Sequence, residues 1–132
     1  MSEAERYLAI KAVMMPRDTN PHGTIFGGVL LSYIYQAGAV GARHEVRKAG
    51  WPANPMVTVA MNRIEFHEPV YVGDTVSFWT RLTKVGRTSI TIHVTVEADR
   101  GEDCVKLTEA EVVFVAVLME NGQRIPIPLR GN

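Results

Sequence analysis

The stretch that decides the fold is Gly27-Gly-Val-Leu-Leu-Ser-Tyr-Ile-Tyr-Gln-Ala-Gly-Ala-Val-Gly-Ala-Arg-His-Glu-Val-Arg-Lys48. Within it Leu30, Leu31, Ile34, Ala37, Gly38, Gly41, Ala42 and Glu45 recur at steps of three and four, the spacing of one helical face. Charge gathers at Arg43, Arg47 and Lys48, in the last turns, where cations suit the negative end of a helix dipole, and Gly50 supplies a stop. No Lys, Arg, Asp or Glu occurs between Asp18 and Arg43, so the run from Thr24 to Ala42 is long enough for a membrane span to be weighed. Gly27, Gly28, Ser32 and Gln36 dilute its apolarity, and the strands downstream need a helix to cover them. The run therefore reads as a buried central helix, with Ala37, Gly38, Gly41 and Ala42 marking the side on which a sheet can approach closely.

Upstream, residues 7–14 suit a short strand, and Pro16-Arg-Asp-Thr-Asn-Pro-His-Gly23 is a dense cluster of turn formers. From Val57 onward the period becomes two. Val57, Val59 and Met61 alternate with Thr58, Ala60 and Asn62, and Ile90, Ile92, Val94 and Val96 alternate with Thr91, His93, Thr95 and Glu97, the pattern of a sheet with one buried face. Gly73-Asp74, Gly86-Arg87, Asp99-Arg100-Gly101 and Asn121-Gly122 punctuate these runs, and loops so short predict an antiparallel meander. A helix of about 20 residues and strands of about ten both span about 30 Å. The expected architecture is α+β, a long central helix wrapped by a curved antiparallel sheet, one domain over residues 1–132. Its uncovered edge predicts at least a homodimer.

A chain of 132 residues, 46% hydrophobic and 21% charged, is long and apolar enough for one core. Fourteen basic against fourteen acidic side chains leave no net field to attract nucleic acid or anionic lipid, so neither is an expected partner. A single cysteine, Cys104, makes no internal disulfide, and the N-terminus lacks the basic and apolar regions of a secretory signal, which together predict a cytoplasmic location.

The four histidines, His22, His44, His67 and His93, show no HExxH spacing and there is no CxxC, so no metal is expected. Ser32 lacks the GxSxG elbow of a nucleophilic serine, and Cys104 has no histidine near it in sequence. His93 reads as a solvated or hydrogen-bonded residue on a polar sheet face. Arg81, Lys84 and Arg87 form a small basic cluster about one hairpin, either solvated or suited to a phosphate. Gly23-Thr-Ile-Phe-Gly-Gly28 has two adjacent glycines at a helix start, where free N–H groups at the positive end of the dipole stabilise an oxyanion; the alternative is that the glycines only permit close packing.

Asp18-Thr-Asn-Pro-His-Gly-Thr-Ile-Phe-Gly-Gly-Val-Leu-Leu-Ser32, followed by Ala37-Gly-Ala and Ala42-Arg-His44, resembles the signature of hotdog-fold acyl-CoA thioesterases of the bacterial short-chain and brain acyl-CoA hydrolase type. Phe66-His-Glu-Pro-Val-Tyr-Val-Gly-Asp74 and Lys84-Val-Gly-Arg-Thr-Ser-Ile90 match later family patterns, and the likeness covers about residues 10–118. The resemblance implies a hotdog fold and hydrolysis of an acyl-CoA to free acid and coenzyme A, with no metal or organic cofactor, at sites shared between two protomers. It places the thioester carbonyl against Gly27 and Gly28, with Thr24 beside them, and implies substrate contacts from Asn20, His22 and Phe26. The coenzyme A phosphates are expected near Lys84 and Arg87 and the pantetheine near Thr88 and Ser89, with Gly86 also counted among the substrate-binding residues. Tetramers or hexamers built from dimers both occur on this fold.

The chain departs from the family where the helix usually carries an acid: in Ser32-Tyr-Ile-Tyr-Gln-Ala-Gly38 that position is Tyr35. A phenol donates a hydrogen bond at neutral pH but is a poor base for water, and losing a positioned general base costs about 100- to 10,000-fold in rate. The favoured expectation is an impaired form of an ordinary thioesterase. A natural acyl-CoA binder is one alternative, and an enzyme recruiting Asp18, Glu65 or Glu68 is another. Asp18-Thr-Asn-Pro-His22 is also similar to the hydratase branch of the fold, although there the histidine stands one residue further on.

Overall fold

The computed structural model describes residues 5–131; residues 1–4, which carry most of the segment read for a signal, and residue 132 lie outside them. Strand β1 (Tyr7–Val13) leads through a 3-10 turn at Pro16–Asp18 to helix α1 (Gly27–Ala49). Strands β2 (Met56–Phe66), β3 (Thr75–Val85), β4 (Ser89–Arg100), β5 (Asp103–Glu120) and β6 (Gln123–Pro126) follow. The sheet is antiparallel in the order β1-β3-β4-β5-β2, with β6 pairing the far end of β5.

The helix begins and ends where the glycines predict. Gly50 adopts the left-handed conformation (φ 76°) and donates to the Arg47 and Val46 carbonyls, closing the last turn beside Arg47 and Lys48. Leu30, Ile34, Ala37, Gly38, Gly41, Ala42 and Glu45 are buried as the period demands, against β3, β4 and β1. Two of the small residues mark the closest approach of helix and sheet. A Cβ on Gly41 would lie 2.5 Å from Thr80 Oγ1 and 2.7 Å from Thr80 Cβ, and one on Gly38 would lie 3.3 Å from both Phe114 and Val112. No helix is long and apolar enough to cross a membrane among the described residues.

Strand β4 follows its alternation: Ile90, Ile92, Val94, Val96 and Ala98 are fully buried, while His93, Thr95 and Glu97 lie on the outer face. Strand β2 does not. Val59 is 55% exposed, and bulges between Thr58 and Ala60 and between Asn62 and Glu65 break the period, so that Met56 and Met61, five residues apart, both pack on the core. The helix lies over the other half of the sheet and leaves this edge strand uncovered.

Three of the four predicted turns join neighbouring strands. Gly73-Asp74 does not, since β2 and β3 lie with β4 and β5 between them. Residues 67–74 instead cross beneath the start of the helix, where Ile25 donates to the Val70 carbonyl at 2.8 Å and Thr24 pairs with Tyr71. A turn-forming dipeptide identifies a reversal of the chain but not the strand it returns to. Gly73 (φ 91°) donates to Met14, and Asp74 accepts from the Tyr71 amide at 2.9 Å. Arg100 fastens this crossing, bonding Asp74 Oδ2 at 2.7 Å and the Pro69 carbonyl at 2.8 Å. Burial tends to raise the Asp74 carboxyl, but the Arg100 hydrogen bond, the Tyr71 amide and the Arg100 charge outweigh it and hold it below its ordinary value.

Candidate active site

The helix opens without a side-chain cap. Phe26 occupies the capping position and offers no acceptor, and the first turn holds no acidic residue. Val29 and Leu30 donate to the Phe26 carbonyl at 3.0 and 3.4 Å, so the amides of Gly27 and Gly28 precede the helical ladder and have no acceptor within it. At Gly27 there is a cavity of about 310 Å³, lined also by Thr24, Ile25, Leu30 and the crossing segment from Phe66 to Val70. Gly28 faces open space, and a Cβ on Gly27 would rest 3.5 Å from the Phe66 ring. This is the geometry of an anion-stabilising pocket: amide donors at a positive dipole end, with room for a ligand.

The turn leading into the helix is held by Asn20. Its Oδ1 accepts from the amides of His22 and Thr24 at 2.9 and 3.1 Å, and its Nδ2 donates to Thr24 Oγ1 at 2.8 Å. Asn20 thus shapes the loop and orients Thr24 at the cavity mouth. His22 and Phe26 are exposed and outside the cavity lining. Tyr35 is 46% exposed on the helix face turned from the sheet. It lies seven residues beyond Gly28, about 10 Å along the axis and on the same face.

Of the three carboxylates named as replacements, Glu68 alone lines the cavity. Asp18 accepts the Met15 amide at 3.2 Å in the 3-10 turn, and Glu65 lies 3.6 Å from His67. Lys84, Gly86, Arg87, Thr88 and Ser89 do not join Gly27 within the chain. They form the β3–β4 turn, separated from the crossing segment by the length of β3, about 35 Å for eleven residues. There Gly86 donates to the Ser89 carbonyl at 2.8 Å, and the Arg87 and Thr88 carbonyls accept from Leu129 and Ala116. At Cys104, burial and then the neighbouring Glu97 and Asp99 carboxylates push the thiol up, away from the thiolate form.

Two features escape a linear reading. The hydroxyls of Thr58 and Thr108 are buried without a hydrogen-bond partner, among the described residues. On the outer face, Glu109 accepts His67 Nε2 at 2.8 Å and His93 Nε2 at 3.1 Å, so His93 is hydrogen-bonded on a polar face as expected. Burial tends to raise the Glu109 carboxyl, but the His67 bond and the charges of Lys106 and His93 leave it below its ordinary value. These groups come from β4, β5 and the turn that follows β2, and only strand pairing brings them together.

Comparison with known proteins bears on the family and the fold. The profile of the thioesterase superfamily matches residues 22–105. A Zymomonas mobilis protein named as an uncharacterized acyl-CoA thioester hydrolase is 47% identical over 87 residues, covering 65% of this chain but only 54% of its own length. The acyl-CoA thioester hydrolase YciA of Salmonella typhimurium is 35% identical over 130 residues, covering 94% of this chain and 92% of its own. The crystal structure of a hexameric hotdog-fold thioesterase of Campylobacter jejuni superposes with a TM-score of 0.79 at 37% identity, over 92% of this chain and 89% of that one. One helix on a curved antiparallel sheet, with likeness along nearly the whole chain, places the protein in the thioesterase superfamily with a hotdog fold.

Proposed function

We propose that this chain is an acyl-CoA thioester hydrolase, impaired by Tyr35 at the position of the family's helix acid. The observation that carries the reading is the uncapped helix start, with Gly27 lining a cavity and Gly28 next to it in the chain. A thioester carbonyl seated there is polarised by the two N–H groups, which meet the oxygen as it gains charge in the tetrahedral intermediate. Water is the second reactant, its proton must pass to a base, and coenzyme A leaves as the thiol. A carboxylate at position 35 would be that base; the tyrosine hydroxyl in its place can only orient or donate. The reaction drawn this way uses neither metal nor organic cofactor.

The length of β3, about 35 Å from the crossing segment to the β3–β4 turn that carries Lys84, Arg87, Thr88 and Ser89, favours a site shared between protomers. A second copy pairing its β2 antiparallel to this one is turned end for end, which brings its β3–β4 turn to this chain's helix start. The exposed Val59 and Phe66 on β2 (55% and 54%) are the apolar surface such pairing covers. A dimer is thus the smallest complete unit, and the hexamer of the Campylobacter relative is a natural higher assembly. The single unpaired Cys104 fits a cytoplasmic setting.

Restoring the acid tests the chemistry. Tyr35→Asp is expected to raise turnover on a panel of short, medium and aromatic acyl-CoAs by at least about tenfold. A folded variant with no gain would favour an acyl-CoA binder or a relocated acid such as Glu68. Hydration of an enoyl-CoA by the unchanged protein would favour the hydratase instead.

A further inference from the structure

We propose that Glu65, His67 and Glu109 form a site for a divalent transition ion of the zinc class on the outer face of the sheet, with His93 holding Glu109 in place. Their ligating atoms all lie within 4.8 Å of one another. His67 Nε2 stands 2.8 Å from Glu109 Oε2 and 3.6 Å from Glu65 Oε1. In a tetrahedral zinc shell with bonds of about 2.0–2.1 Å, neighbouring ligand atoms are about 3.3 Å apart, so these separations bracket the requirement.

The placement has a physical cause. Glu65 and Glu109 sit directly opposite each other in the β2–β5 pairing, and facing carboxylates repel unless a cation lies between them. His67 follows the end of β2, but its amide still bonds the Leu107 carbonyl of β5, which keeps its ring within 3.6 Å of Glu65. His93 Nε2 bonds the other Glu109 oxygen at 3.1 Å, the supporting contact that orients a carboxylate ligand. A cavity of about 190 Å³, lined by Arg63, Glu65, His93, Glu109 and Glu111, lies against the two carboxylates of the set. Imidazole with carboxylates suits Zn2+ or Co2+ rather than Mg2+ or Ca2+, which take oxygen donors. The competing cations are Lys106, 3.5 Å from Glu109 Oε2, and Arg63, which turns to Glu111 at 3.9 Å.

An ion here would pin the end of β2 to β5. His67 donates its amide to Leu107 at 2.7 Å and also belongs to the wall of the cavity beside Gly27, so occupancy would stiffen that wall without entering the reaction. The inference stands on the outer-face geometry alone and is independent of the hydrolase reading.

Titration of chelator-treated full-length protein with Zn2+, followed by calorimetry, and with Co2+, followed by its visible absorption, tests it. One ion per chain with a tetrahedral Co2+ spectrum is expected. His67→Ala and Glu109→Gln should each weaken binding by at least about tenfold, and His93→Gln by about tenfold. Lys106→Ala should tighten it by removing a competing ammonium. Circular dichroism confirms that each variant is folded. Equal binding by the unchanged protein and the folded His67→Ala variant, no binding by the unchanged protein, or equal affinity for Mg2+ would each overturn the proposal.

Discussion

Strands β4 and β2 carry the same kind of sequence, an apolar residue at every second position, yet the fold treats them oppositely. Strand β4 lies in the middle of the sheet under the helix, and its alternate side chains are removed from water completely. Strand β2 lies at the edge beyond the helix, is bulged twice, and leaves Val59 and Phe66 exposed within one chain. Alternation therefore specifies that a strand has a buried face, but the element or protomer that buries it is set by strand order.

The largest effect expected from this contrast lies in the covered half. Phe114 is 2% exposed and packs against Gly38, so Phe114→Ala should cost about 3–5 kcal/mol in denaturant unfolding. Val59→Ala in the uncovered half should stay within about 0.5 kcal/mol when the isolated chain is measured. Equal costs would break the distinction.

A smaller effect comes from the closest approach between helix and sheet. Gly41→Ala puts a methyl group against the Thr80 side chain, which is itself bonded to the Tyr7 carbonyl at 3.2 Å, and should destabilise by about 1–3 kcal/mol. Gly28→Ala meets no atom within 4 Å and should leave the melting temperature unchanged or raised.

The smallest effect is visible only with pH. Because Asp74 is held below its ordinary value in the folded state, its contribution is full above the unfolded carboxyl range near 4 and is lost as pH falls through the lower folded value. Asp74→Asn should remove that part of the acid slope of stability. Glu109, shifted in the same direction, should contribute to the slope with the same sign.

The legible parts of the molecule were those with local causes. Helical spacing and two bounding glycines located α1, alternation located the buried face of β4, and the small residues named the side where the sheet comes close. The glycine pair likewise marked the helix start that borders the cavity. What stayed hidden depends on contacts distant in sequence. The strand order sent residues 67–74 across the helix start rather than into a hairpin, and pairing of β2, β4 and β5 gathered His67, His93 and Glu109. Likewise the turn at Lys84–Ser89 stands at the far pole, because an eleven-residue strand carries it there. No spacing motif contains that information.

The crossing from Phe66 to Asp74 serves two masters. It is the seam by which the chain passes from one margin of the sheet into its interior, and it is also the rim of the chamber at the helix start. Residues there cannot be exchanged without also testing whether the protein closes, so change at this rim is constrained by folding as well as by whatever the chamber holds.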